Sequence, residues 1–201
     1  MIAIIDYGMG NLRSVLKAFE EVNSKAFITS SPVRLLKADK VVLPGVGAFG
    51  DAIREIKKRN LYNSLNEFIE KKRLFFGICL GMQLLFKKSE ESSTEEGLSV
   101  LEGEVIGFSP TRKLKVPQIG WNQVELIGKH PLFKGIEDRS YFYFAHSYYV
   151  KPKQRSIIKG VTDYGVRFSS FLAKENIFAV QFHPEKSQKT GLKILKNFDK
   201  L

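Results

Sequence analysis

The 201 residues carry 43% apolar side chains, 32 basic against 21 acidic residues for a formal charge of +11, and one cysteine. Length and apolar share predict a single domain over residues 1–201 with one sizeable core. The longest apolar runs are too short for a membrane span, and the N-terminus lacks a signal-peptide pattern. A lone cysteine makes no internal disulfide, which fits a reducing cytoplasm. The basic excess invites a nucleic-acid reading, but Lys57-Lys58-Arg59, Lys71-Lys72-Arg73 and Lys87-Lys88 fall at expected helix C-termini, where cations complement the dipole. No zinc-ligand spacing, RNP-like aromatic motif or helix-turn-helix pattern accompanies them.

Ile2–Ile5 reads as a buried first strand and residues 11–21 as a helix, with Leu12, Val15, Leu16 and Phe19 on one face. Gly8-Met9-Gly10 between them lacks the third glycine of a G-x-G-x-x-G fingerprint, since Arg13 stands there, so no dinucleotide site is expected. Asn11 has the side chain of a helix N-cap. A strand at 26–28, a short helix after Ser30-Ser31-Pro32 and a third strand at 40–43 follow. The third strand delivers Pro44-Gly45-Val46-Gly47-Ala48-Phe49, whose glycines would let the backbone approach a substrate and aim an amide N–H at a developing oxyanion; a plain strand-to-helix turn is the alternative. Helices at 48–58 and 61–71 complete a β-α-β alternation, which predicts an α/β fold with a doubly wound, mostly parallel sheet.

Residues 74–78 are apolar and suit a strand buried on both faces, and residues 80–86 are good helix formers. Gly77 and Gly81 flank Cys79 in the G-x-nucleophile-x-G spacing of a sharp strand-to-helix elbow. On that turn alone the cysteine reads equally well as a small buried hydrophobe. Phe178 to Lys186 decides between the two readings, because an apolar strand there ends in His183-Pro184-Glu185. In an extended segment residues two apart project to the same side, so Glu185 can hold one ring nitrogen while the other faces a nucleophile. Cysteine, histidine and an orienting carboxylate are the set that covalent catalysis requires, and it needs no metal or other cofactor.

The segment 89–96 reads as a polar surface loop, and from residue 104 onward short strands with glycines and aromatics (104–108, 121–126, 141–144, 147–150, 157–161, 168–173) predict antiparallel hairpins added to the parallel core.

Gly-Ile-Cys-Leu-Gly-Met-Gln around Cys79 and Gln-Phe-His-Pro-Glu-Lys-Ser around His183 resemble the two signatures of class I (triad-type) glutamine amidotransferases. Within that family the chain is similar, from Asp6-Tyr7-Gly8-Met9-Gly10-Asn11-Leu12 to its last helix, to the glutaminase subunits of imidazole glycerol phosphate synthases. The resemblance implies hydrolysis of L-glutamine by Cys79, His183 and Glu185. It also implies an oxyanion hole from the N–H groups of Val46 and Leu80, and substrate contacts from Gly47, Gln83, Glu96, His146, Ser147 and Tyr148. Ammonia would pass to a β/α-barrel cyclase subunit that makes imidazole glycerol phosphate and an aminoimidazole carboxamide ribotide. Asn11, Trp121, Asn122 and Lys186 would face that partner, and the Gly45-Val46 peptide would switch the site on. Where the family usually has histidine this chain has Gln118, a departure expected to touch neither triad nor pocket. A paralogous subunit feeding another synthase, such as one amidinating a cell-surface sugar, and a free-standing cysteine hydrolase are the competing readings.

Overall fold

The computed structural model describes residues 1–109 and 115–201. In chain order the elements are β1 (Ile2–Ile5), α1 (Leu12–Glu21), β2 (Ala26–Thr29), α2 (Pro32–Lys37), β3 (Lys40–Gly45), α3 (Phe49–Lys58), α4 (Leu61–Glu70), β4 (Leu74–Cys79) and α5 (Leu80–Gln83). There follow β5 (Phe86–Ser89), β6 (Leu101–Gly107), β7 (Gln118–Leu126), β8 (Ser140–His146), β9 (Tyr148–Pro152), β10 (Ile158–Asp163), β11 (Arg167–Lys174), β12 (Ile177–Val180) and α6 (Gln188–Lys200).

One sheet runs in the order β2-β1-β3-β4-β12-β11-β10-β7-β8. Pairings from β2 to β12 are parallel, and those from β12 outward are antiparallel. The switch sits where the patterns change from unbroken apolar runs to aromatic alternation. Every residue of β1 is buried, and its side chains divide by parity: Ala3 and Ile5 enter one core, Ile2 and Ile4 the other. The first core is covered by α2, α3 and α4 through Leu35, Ile53, Ile56, Leu65 and Phe68. The second is covered by α1 and α6 through Val15, Phe19, Ile194, Leu195 and Phe198. Each such side chain, fully buried, contributes about 1.5–3 kcal/mol. No helix among the described residues is long and apolar enough to cross a membrane.

Two expectations need correction. The helix expected over 80–86 stops at Gln83, because the carbonyls of Leu84 and Leu85 are taken by the N–H groups of Leu98, Val100 and Leu101 and the chain turns into β5. Lys87 and Lys88 therefore lie exposed on that strand rather than at a helix end. The edge pair β5–β6 also departs from the hairpin pattern, being parallel, while β6 and β9 pair antiparallel.

What fixes α5 against the sheet is the lack of side chains at its start. A Cβ on Gly81 would overlap the carbonyl oxygen of Leu43 in β3, and one on Gly77 would stand 2.7 Å from Gly81 O. Both obstacles are backbone and cannot step aside. Gly81→Ala is accordingly expected to cost about 3 kcal/mol of stability, the upper end for overpacking; a urea midpoint unchanged from the parent would contradict this packing.

Candidate active site

Three adjacent parallel strands end at the same edge. In register, Gly45 of β3 lies opposite Cys79 of β4, and Val180 of β12 lies opposite Ile78. Residues just beyond these ends, Val46 on one side and Gln181 to His183 on the other, are thereby carried to the thiol. Cys79 itself has φ 53° and ψ −108°, a conformation that costs a residue with a side chain about 1–3 kcal/mol and that packing must hold in place.

His183 Nδ1 lies 2.8 Å from Glu185 Oε1, with the two side chains only 2% and 3% exposed. The expected extended geometry is not how they meet: Pro184–Lys186 forms a single 3-10 turn, and the turn folds the carboxylate back onto the ring. Ser187 Oγ donates to His183 O at 2.6 Å and accepts from Tyr143 N at 2.9 Å, which ties the turn to β8. Burial disfavours a charged imidazole, but the nearby Cys79 sulfur and the Glu185 carboxylate outweigh it and hold the His183 pKa up at about 10. Its Nε2 has no hydrogen-bond partner among the described residues. The Cys79 sulfur stands close enough to raise the His183 pKa, while the thiol leans toward Ala145 O at 3.8 Å and accepts from Gln181 Nε2 at 3.6 Å.

The thiol opens onto a cavity of about 240 Å³ whose walls include Val46, Gly47, Leu80, Gln83, Glu91, His146, Ser147 and Tyr148. Every substrate contact expected from the sequence is there except Glu96. Gly97 N donates to Lys87 O at 3.0 Å, which lays Glu96 along the outer edge of β5, where its carboxylate pairs with Lys87 Nζ at 3.3 Å. The carboxylate that does line the cavity is Glu91, oriented by Phe49 N at 2.7 Å. Gln118 is a second departure. It is 3% exposed, and its side-chain amide stands 2.8 Å from Nε2 of His146, so it touches the pocket wall after all. Alternation along β7 is the reason: with Ile119 and Trp121 outward, Gln118 must point in.

Of the residues expected to face a partner, Trp121 and Lys186 come together beside the Tyr143 ring. Asn11 caps α1, accepting from Ser14 N at 3.3 Å. Trp121 is 46% exposed on the outward face of β7, beside exposed Ile119, and Lys186 Nζ lies 5.6 Å from the Tyr143 ring on the neighbouring strand. Asn122 turns away and donates to Asp163 O at 2.8 Å. No group of three or more His, Cys, Asp or Glu side chains that could hold a metal ion occurs among the described residues.

Sequence reasoning missed Glu91, Gln181 and Tyr7. Glu90, Glu91, Glu95 and Glu96 share one aperiodic loop, so nothing local distinguishes them. Gln181 carried a signal, a polar residue in an apolar strand two positions before His183. Tyr7 is fully buried, donates from Oη to Pro44 O at 2.9 Å, and has its pKa raised by burial and then by the adjacent Cys79.

A pH effect follows from His183. Because its folded pKa stands above the ordinary 6.5, its stabilising contribution is complete below pH 6.5 and is lost as pH climbs through about 10. Urea midpoints of the parent should fall across that window, and those of Glu185→Gln should fall less; parallel curves would contradict the ion pair.

The family description "Glutamine amidotransferase class-I" matches residues 3–201. Imidazole glycerol phosphate synthase subunit HisH 1 of Methanococcus maripaludis is 51% identical over 204 residues, covering all of both chains. The subunit HisH of Methanocaldococcus jannaschii is 48% identical over 201 residues, again with full coverage of both. Among solved structures, a crystal structure titled glutamine amidotransferase superposes with a TM-score of 0.77 at 15% identity, covering all of both chains. A chain of PurLQS from Thermotoga maritima does so with a TM-score of 0.76 at 15% identity, covering 98% of this chain and 96% of that one. At those identities the structural likeness concerns the fold.

Proposed function

The chain belongs to the class-I glutamine amidotransferase family, and from that membership we propose that it is the glutaminase subunit of an imidazole glycerol phosphate synthase in histidine biosynthesis. The observation that carries this reading is the thiol of Cys79 at the floor of a small polar cavity, backed by the buried His183–Glu185 pair.

Glutamine enters with its side-chain amide toward the thiol. Glu91, the carboxylate in the wall, takes the α-ammonium group, and Ser147 with the backbone around Tyr148 takes the α-carboxylate. His183 Nε2 holds the proton that leaves Cys79, and the thiolate attacks the amide carbon. Charge moves to the amide oxygen, where the N–H groups of Val46 and Leu80 receive it, each donor worth about 3 kcal/mol in sites of this type. His183 then protonates the departing ammonia, and water attacks the thioester to release glutamate. Glu185 keeps the imidazolium oriented throughout without giving up its own charge.

The ammonia goes to a β/α-barrel cyclase subunit through an internal passage, in an enzyme complex of the cytoplasm. The outward face of β7, with Trp121 and Ile119 exposed and Lys186 beside it, offers an aromatic anchor and a cation for that partner. Tyr7 bears on how the site is switched, since a Cβ at Gly45 would overlap its hydroxyl, so the Gly45-Val46 peptide turns beside a packed ring.

Glutamate release by the purified chain, alone and with the cyclase subunit of the same organism and its ribotide substrate, tests the reading. Turnover should rise strongly with the occupied partner and drop at least about a thousandfold in Cys79→Ala. Turnover indifferent to that partner would overturn the assignment to this synthase. Loss of a charge-assisted contact in Glu91→Gln should raise KM for glutamine by about tenfold or more, with a lesser effect on kcat; an unchanged KM would remove Glu91 from the binding site.

A further inference from the structure

Behind the cavity wall a line of buried polar side chains, outside the triad, runs to the nucleophile. Gln118 meets His146, His146 and Gln83 meet the carbonyl of Tyr148, Gln83 meets Gln181, and Gln181 meets the sulfur of Cys79. Gln181 has no exposed surface and Gln83 only 4%. A primary amide placed among apolar strands without a function would cost about 1–3 kcal/mol in desolvation unless both its ends were satisfied.

We propose that Gln181 is a catalytic residue for the thiol chemistry: its side-chain N–H donates to Cys79 Sγ and favours the ionised nucleophile, while Gln83 and the Tyr148 carbonyl fix which end of the Gln181 amide faces the sulfur. This rests on Cys79 being the nucleophile.

The direction of each bond follows from chemistry rather than from atom naming. A backbone carbonyl can only accept. Tyr148 O therefore requires donors, and it has two, Gln83 Nε2 at 2.9 Å and His146 Nδ1 at 2.8 Å. With its NH2 turned to that carbonyl, Gln83 has a second hydrogen for Gln181 Oε1 at 3.2 Å. Gln181 is left with its own NH2 toward Sγ, at 3.6 Å. The reverse orientation of Gln181 would set its NH2 against that of Gln83 and place a carbonyl lone pair against a thiolate. His146 supports the same polarity: burial and the neighbouring His183 outweigh its bond to Tyr148 and hold its pKa down at about 4, so the ring is neutral with its proton on Nδ1. Its Nε2 is then an acceptor, and Gln118 presents N–H to it.

In the catalytic cycle Gln181 forms and breaks no covalent bond. When the thiol proton passes to His183 Nε2, the N–H···S contact becomes charge-assisted. It weakens as the C–S bond forms and charge moves to the amide oxygen, and it returns when hydrolysis of the thioester expels the thiolate. Other groups face the sulfur too: His183 from beyond β12, the Tyr7 hydroxyl from beyond β1, Ala145 O from β8, and, across the cavity, Glu91 and His146. Gln181 is the neutral side-chain N–H donor within hydrogen-bond reach of Sγ among the described residues.

Cys79 is the chain's sole cysteine, so its alkylation by iodoacetamide across pH reads the thiol directly, without glutamine. In full-length Gln181→Met, an apolar replacement of similar length, the midpoint of the rate profile should move up by about one pH unit and alkylation below both midpoints should slow about tenfold, with glutaminase kcat falling and KM nearly unchanged. Gln83→Leu leaves Gln181 in place but frees its amide to turn, and should shift the profile in the same direction by less, which decides the matter if the methionine variant does not fold. An unshifted profile in folded Gln181→Met, or in Gln83→Leu where Gln181→Met does not fold, overturns the proposal. A parent profile like that of a free cysteine and unmoved by Glu185→Gln overturns the nucleophile assignment itself, and this proposal with it.

Discussion

At the turn from β4 into α5 the main chain of the helix lies directly on the main chain of β3, with only the hydrogen of Gly81 between them and Leu43 O. No residue with a side chain fits there, and the site depends on that approach. It forces Cys79 to φ 53°, lifting its sulfur off the sheet instead of letting it pack as a small core residue. The same approach brings Leu80 over Gly45, so that Val46 and Leu80 come to flank the thiol. The parallel pairing of β4 with β12 then supplies the rest, since a strand in register with Ile78 must run out beside Cys79 and deliver Gln181 and His183 there. One backbone contact and one register thus assemble groups from three separate parts of the sequence.

The histidines of this region show how burial is used in opposite ways. His183 and His146 are both nearly without solvent, and each by desolvation alone would be neutral. His183 has a buried carboxylate on one nitrogen and a thiol near the other, and the charged form wins. His146 hydrogen-bonds a carbonyl and an amide, has no carboxylate partner, and lies near His183, and the neutral form wins. A ring held charged by its neighbours therefore stands near a ring held neutral by its own. Two titratable groups of one chemical type are separated by their neighbours alone, which is how a site obtains distinct acid–base roles at one pH.

Much of this was legible in the chain. The unbroken apolar runs of β1, β3, β4 and β12 read as buried parallel strands, and the paired glycines around Cys79 and the His-Pro-Glu sequence read as a nucleophile elbow and its base. Less legible were features set by contacts distant in sequence. The short α5 ends because Leu98, Val100 and Leu101 capture the carbonyls of Leu84 and Leu85 just past it, information absent from residues 80–86. Glu91 and Glu96 are chemically identical in a loop without periodicity, and the hydrogen bond from Gly97 to Lys87 is what turns Glu96 outward. Gln118 was judged by its motif alone, since it lay outside the strand expected at 121–126, and it is the longer β7 of the structure, with Trp121 outward, that points it to the interior.

The measurement that tests the account most directly is the mass of the chain quenched in acid during glutamine turnover with the cyclase subunit present. A glutamyl thioester on the peptide containing Cys79, built up in the parent and absent from Cys79→Ala, is the predicted result. Sustained glutamate production with the Cys79 peptide unmodified at every quench time, and with Cys79→Ala still turning over, would contradict the covalent route and the site on which this account rests.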